Sequence, residues 1–271
     1  MNEKRVLARP GADLAYDISG DGPVVGYAHG MFLSRSAEDE ARLSDWSPVV
    51  GAGRRLVRYD ARAHGQSTGE PVPDRYTWPN LADDLLGLLD EVSPRVPASF
   101  IGASMGTGTL LWAAVKAPER FDRLVLTIPP TAWATRVPQA AWYRGEADVI
   151  ETGGKDAWVA MLNQLPVPGI FAELGEFALV PDIPEPLLPA VLRGAAASDL
   201  PDAAALAALT QPALILAWET DPTHPVSTAQ RLAELLPHAS LHVSATWPDV
   251  RTWGERTASF LAVQDVSQIR H

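Results

Sequence analysis

The sequence predicts an α/β fold: a mostly parallel eight-stranded sheet flanked by helices, with a helical lid inserted between strands 6 and 7. Three observations lead there. Short apolar segments alternate with helical ones, as a parallel sheet covered on both faces requires. The alternation lapses between about Pro129 and Pro201, which holds Trp133, Trp142, Trp158 and many Pro and Ala residues but no strong strand signal. The chain has 271 residues, 46% hydrophobic and 20% charged, enough to bury a substantial core and ordinary for a folded protein.

Taken in order, Val6–Ala8 and Leu14–Ile18 flank Pro10-Gly11 and form an opening hairpin, because Pro presets φ and Gly tolerates positive φ. Val24–Ala28, Leu56–Tyr59, Ser99–Gly102, Leu124–Thr127, Ala213–Trp218 and Ser240–Val243 complete the strands. Asn80 is the expected N-cap of an amphipathic helix Leu81–Val92, with Leu81, Leu85, Leu88 and Leu89 on one side. Met105–Lys116 is a second helix, ended at Ala117-Pro118 because the residue before proline avoids helical φ/ψ. Residues 228–236 and 250–262 supply two more. The core is then 1–128 with 206–271, and 129–205 is the lid, where substrate specificity is expected to reside.

Composition removes several functions. With 22 Lys+Arg against 33 Asp+Glu the net charge is −11, without a basic stripe, which speaks against nucleic acid as a partner. The absence of Cys removes disulfides, thiolate metal sites and cysteine nucleophiles. No His/Asp/Glu spacing suggests a metal, so no cofactor is expected. Neither a signal peptide nor a membrane span is read, so the expectation is a cytoplasmic protein acting on a small molecule. The sequence does not indicate its oligomeric state.

The most informative string is Gly102-Ala103-Ser104-Met105-Gly106, between an expected strand and an expected helix. A serine on so tight a turn has strained φ/ψ, and its neighbours two before and two after must lack side chains. Ser104 then points into the cleft at the C-terminal edge of the sheet, beside the open N–H groups of a helix N-terminus.

With this elbow in place, the chain resembles the α/β-hydrolase superfamily, in its lid-containing esterase and lactonase branch. Tyr27-Ala28-His29-Gly30-Met31 is similar to that family's His-Gly turn, and the resemblance implies an oxyanion hole from the backbone N–H groups of Met31 and Met105. Arg58-Tyr59-Asp60-Ala61-Arg62-Ala63-His64-Gly65-Gln66-Ser67 matches the family's Asp-x-Arg-Gly-His-Gly-x-Ser segment, with Ala63 where Gly is usual. Ala117-Pro118-Glu119-Arg120-Phe121 resembles its helix-to-strand connection. Asp221, after the strand Ala213–Trp218, stands where the triad acid belongs; the other role open to it is capping the next helix.

One member of the triad is not where the resemblance puts it. The loop after the last strand, Ser244-Ala245-Thr246-Trp247-Pro248-Asp249, has no His, so the triad reads as incomplete. His29 and His64 belong to the scaffold turns, and His271 ends the chain. His238 precedes the last strand, roughly 15 Å from the active edge at about 3.3 Å per residue. His242 lies within that strand and is expected to pack under a helix. His224, three residues after Asp221, is the best substitute base.

Two functions follow. One is a serine hydrolase of a small ester, lactone or related acyl compound, using Ser104 and Asp221 with a non-standard base, and with Trp133, Trp142, Trp158 and Trp247 lining an apolar pocket. The other is a non-hydrolytic catalyst, such as a lyase or cyclase, or a noncatalytic ligand binder on the same fold.

Overall fold

The computed structural model describes residues 5–165, 169–170 and 180–262. The eight expected strands are present, each within a few residues of its expected limits: β1 (Arg5–Arg9), β2 (Ala12–Ser19), β3 (Val24–Ala28), β4 (Arg55–Tyr59), β5 (Ala98–Ala103), β6 (Phe121–Thr127), β7 (Ala213–Trp218) and β8 (Ala239–Ser244). They form one sheet in the order β1-β2-β4-β3-β5-β6-β7-β8. β1 and β2 pair antiparallel, as do β2 and β4, and the remaining pairs are parallel. Gly11 turns the opening hairpin at φ 74°.

Residues that alternate along a strand enter different cores, the period of two expected for a sheet buried on both sides. Phe100, Leu124, Leu126 and Ile215 face one core, while Ile101, Val125, Leu214 and Leu216 face the other. Gly26 pairs in register with Phe100, and a Cβ there would lie 2.1 Å from the Phe100 ring. The bare backbone of β3 is therefore what admits that ring.

The helices are α1 (Arg35–Ala41), α2 (Ser47–Gly51), α3 (Trp78–Val92), α4 (Met105–Lys116), α5 (Arg136–Leu162), α6 (Leu188–Ala196), α7 (Ala203–Ala207), α8 (Val226–Leu235), α9 (Trp247–Val250) and α10 (Trp253–Ala262). α4 has the expected limits, but α3 begins three residues earlier than expected. Thr77 takes the cap position, Pro79 fits a first turn that needs no donor there, and Asn80 lies inside the helix with its amide donating back to Asp74 O. The single helix expected over 250–262 is two: Thr246 Oγ1 accepts from Asp249 N and starts the short α9, and α10 follows.

Between β6 and β7 the structure places α5, α6 and α7 and no strand among the described residues. α5 bends at Gly154 (φ 81°, ψ 173°) and packs on α6 around Ala147, Ile150, Trp158, Leu188, Val191 and Leu192. Buried Arg136 braces this layer: Nε donates to Ser198 O at 2.8 Å, Nη2 to Ala195 O at 2.6 Å, and the guanidinium lies 4.4 Å from the Trp78 ring centre. With Nη1 donating to Thr131 Oγ1 at 3.3 Å, it is a strut that ties α5 to the chain leaving α6.

α1 carries a buried carboxyl that opposes stability at neutral pH. Glu38 is 4% exposed; its Oε1 accepts from Tyr27 Oη at 2.7 Å, and Oε2 is buried without a hydrogen bond. Burial pushes this carboxyl up from 4.5 to about 7, against the opposing pull of the Tyr27 hydrogen bond and the Arg58 charge. The folded state therefore holds a proton that the unfolded chain releases, and the favourable contribution of protonation is lost as pH rises from 4.5 to about 7. Glu38→Gln is expected to gain on the wild type across that interval, by up to roughly 3 kcal/mol at pH 8. Urea unfolding at pH 5 and pH 8 checks it; a gain that does not grow with pH would contradict it.

Candidate active site

Ser104 follows β5 and caps α4 with φ 52° and ψ −110°, a backbone conformation that costs energy for a residue bearing a Cβ. The surrounding glycines show what makes room for it. A Cβ on Gly102 would lie 2.4 Å from Gly106 O, and one on Gly106 would lie 2.1 Å from Ala28 O. Ser104 O accepts from Thr107 N at 2.9 Å and Gly108 N at 3.2 Å, while Ser104 N donates to Thr127 O at 3.1 Å. Thr107 Oγ1 sits 2.7 Å from Gly102 O and 2.9 Å from Thr127 O, bracing the turn against β6.

The His29-Gly30-Met31 turn flanks the serine, since a Cβ on Gly30 would lie 3.5 Å from Ser104 Cβ. His29 accepts from Ala61 N at Nε2 (2.9 Å), which leaves Nδ1 to donate to Gly30 O at 2.8 Å. His64 Nδ1 donates to Arg62 O at 2.9 Å, and the two rings lie 5.1 Å apart. Burial holds both imidazoles below the ordinary histidine value, and His64, with His29 beside it, falls to about 3. Both are neutral struts for the turns, as the sequence pattern implies. Asp60 anchors the second turn: it accepts from Arg35 Nε and Arg35 Nη2, both at 3.0 Å, and from Gln66 N at 3.0 Å. Met105 is the first residue of α4, where a backbone N–H has no partner within the helix.

Asp221 and His224 come to this serine together on the loop after β7. His224 Nε2 lies 2.8 Å from Ser104 Oγ, and His224 Nδ1 lies 2.7 Å from Asp221 Oδ2. Asp221 Oδ1 accepts from Thr223 N at 2.8 Å and from Thr223 Oγ1 at 2.5 Å. Burial on its own would raise the Asp221 carboxyl, but the His224 charge and hydrogen bond and the two bonds from Thr223 outweigh it and hold it well below the usual carboxylate range. The incomplete triad read from the sequence is thus corrected in one respect: an imidazole is within hydrogen-bond distance of both the serine and the acid, from a different loop.

The loop that lacks a histidine is occupied otherwise. Thr246 to Val250 coil into α9, and Trp247 is buried beside the sheet with Trp218 and Trp253. His242 is less covered than expected: its side chain is 28% exposed, and Nε2 lies 2.8 Å from Oδ2 of Asp249 on α9. β8 is the edge strand, with a neighbour on one side only, which leaves the ring room to meet that carboxylate. His238 O accepts from Ala213 N, at the entry to β7, so that residue lies at the far end of the sheet as expected. His271 lies outside the described residues.

Each of the four tryptophans expected to line a pocket has a setting of its own. Trp158 is fully buried between α5 and α6, edge-on to Phe32 at 5.2 Å, with Nε1 donating to Glu146 Oε1. Trp133 N donates to the Asp199 carboxylate and Nε1 to Pro201 O, while Trp142 is 43% exposed. An indole's large apolar face is taken up by whichever neighbouring layer can cover it. Among the described residues Trp218 is edge-on to His224 at 6.3 Å and stacked on Trp253 at 5.6 Å. The sequence reading missed it because Trp218 ends a strand whose residues all read as core.

Thr223 was also missed. The signal for it was present: Asp221-Pro222-Thr223-His224-Pro225 holds two prolines, each presetting φ, around the only hydroxyl between acid and imidazole. Thr220, with φ 73°, accepts from Ile170 N at 3.1 Å, and Thr131 N donates to Thr223 O at 3.1 Å, so the loop is pinned at both ends. Among the described residues no group of three His, Asp or Glu is placed to hold a metal ion, and no helix is long and apolar enough to cross a membrane.

Comparison with known proteins agrees with this fold. Residues 27–148 match the model of the alpha/beta hydrolase fold family. The 3-oxoadipate enol-lactonase 2 of Acinetobacter baylyi is 28% identical over 199 residues, which is 69% of either chain. A hydrolase from Pseudomonas aeruginosa superposes with a TM-score of 0.79 at 26% identity, covering 96% of this chain and 98% of that one. The enol-lactonase from Burkholderia xenovorans superposes at 0.77 with 21% identity, covering 96% of this chain and 100% of that one, a likeness of fold. Together with the elbow and the sheet order, these matches make the chain a member of the α/β-hydrolase superfamily and an enzyme of its hydrolase type.

Proposed function

We propose that this protein is a serine hydrolase of a small ester, lactone or related acyl compound, with Ser104 as nucleophile, His224 as base and Asp221 as the acid that orients it. The observation that carries this reading is the line from Asp221 Oδ2 to His224 Nδ1 (2.7 Å) and from His224 Nε2 to Ser104 Oγ (2.8 Å). A free hydroxyl is a poor nucleophile at neutral pH, and an adjacent oriented imidazole is what activates it.

The chemistry balances on these atoms. Ser104 Oγ attacks the acyl carbon as its proton passes to His224 Nε2, and the carbonyl π pair moves onto oxygen. The N–H groups of Met31 and Met105 receive that oxyanion. Collapse expels the alcohol oxygen, which takes the Nε2 proton; a water then repeats the cycle on the acyl-enzyme and frees the acid. The relatives' names, two of them enol-lactonases, suit an ester or lactone. The segment 129–205 is the lid of this reading, with small-molecule selection assigned to it.

A fluorophosphonate probe tests the proposal. Mass should be added on Ser104, absent from Ser104→Ala, with turnover of p-nitrophenyl acetate lost in parallel. A wild-type protein that neither labels nor turns over the ester would overturn it.

A further inference from the structure

The acid and the base of this site are three residues apart on one loop, a spacing that creates a problem of its own. A carboxylate so close in sequence to its imidazole has two oxygens and several rotamers with which to meet it, and the ring has two tautomers. We propose that Thr223 is a positioning residue that selects one rotamer of Asp221 and one tautomer of His224; this rests on the serine hydrolase reading above.

The atoms leave little freedom. Thr223 N (2.8 Å) and Thr223 Oγ1 (2.5 Å) both face Asp221 Oδ1, so the hydroxyl proton is donated there and only Oδ2 is left for the ring. Thr223 Oγ1 also lies 3.1 Å from His224 Nδ1. Having spent its proton on Asp221, that oxygen presents a lone pair, and a lone pair is compatible with Nδ1 only when Nδ1 carries hydrogen. Nδ1–H is then shared between Asp221 Oδ2 and Thr223 Oγ1, and Nε2 is left bare toward Ser104 Oγ, as proton abstraction requires. The backbone holds the device still: Thr223 O accepts from Thr131 N, and Pro222 and Pro225 restrict φ on either side.

Thr223→Val removes the hydroxyl and keeps the shape and the backbone donor. Loss of a hydrogen bond to a charged group predicts that kcat on p-nitrophenyl acetate and the rate of fluorophosphonate labelling fall about 10- to 100-fold, with KM within about twofold. Thr223→Ser is expected to restore both to within about threefold. Long-range 1H–15N spectra of histidine-labelled protein should show His224 as the Nδ1–H form in the wild type and in Thr223→Ser, and a tautomer mixture in Thr223→Val. Thr223→Ala, which adds no new atoms, should behave as Thr223→Val does. Wild-type rates in Thr223→Val, or a Thr223→Ser protein no faster than Thr223→Val, would overturn the assignment while leaving the triad intact. Failure of the wild type to label at Ser104 would instead sink the hydrolase reading and this inference with it.

Discussion

Replacing His224 with Ala is expected to lower kcat on an activated ester by on the order of 10⁴- to 10⁶-fold, about as much as Ser104→Ala, with the double variant little worse than either. The reason is that base and nucleophile act as one unit. Without the imidazole at 2.8 Å the Ser104 proton has no acceptor, and a nucleophile that keeps its proton gains nothing from the oxyanion donors beside it. The position makes the result diagnostic. His242 and His238 remain in the variant, and neither is expected to substitute: His242 is held 2.8 Å from Asp249, and His238 lies at the opposite end of the sheet. Stopped assays and probe labelling of His224→Ala, His242→Ala and the wild type decide the matter. A His242→Ala protein that loses activity while His224→Ala keeps it would reverse the assignment.

Gly106→Ala is expected to destabilise the fold by ~3 kcal/mol or more and to remove labelling of Ser104 in whatever protein remains folded. The added Cβ would lie 2.1 Å from Ala28 O and 2.9 Å from His29 O. Both are backbone atoms at the end of β3, so no side chain can swing aside. Relief requires moving α4 away from the turn that carries Met31, and that opens the gap between the two proposed oxyanion donors. Gly145→Ala is the matched control. Nothing lies within 4 Å of a Cβ there, the residue is inside α5, and a gain of about 0.5–1 kcal/mol is expected. Thermal unfolding of the two variants separates an elbow that excludes a methyl group from a general intolerance of Gly→Ala.

Much of the core was legible because it obeys local rules. The period-two alternation of Leu124, Val125 and Leu126 across two cores is a property of a strand, and Pro10-Gly11 and Ala117-Pro118 carry their own turn chemistry. The elbow was legible for the same reason: the Cβ positions of Gly102 and Gly106 are excluded by backbone a few residues away or on the adjacent strand. Boundaries followed local sequence less well. α3 starts at Trp78 because Pro79 suits a first turn, and Asn80, a good cap in isolation, bonds back to Asp74 from inside the helix. The tryptophans were the hardest to place, since an indole is equally at home in a pocket wall or a layer interface. Trp158 found Glu146 across the bend of α5 and Phe32 in the turn after β3, contacts that no spacing along the chain announces.

By itself the sequence determined the α/β architecture, the strand-serine-helix turn, a carboxylate on the loop after β7, and the vacancy after β8 where an imidazole was expected. Only the tertiary structure decided which histidine meets Ser104. Sequence distance says nothing of that pairing, because Ser104 and His224 are 120 residues apart and are joined through β6 and β7 lying parallel side by side. The sheet brings the ends of β5 and β7 to one edge, and two prolines hold the short loop that turns His224 back over the serine. The imidazole is therefore supplied by the same loop as its carboxylate, and Thr246 to Val250 were free to become a helix.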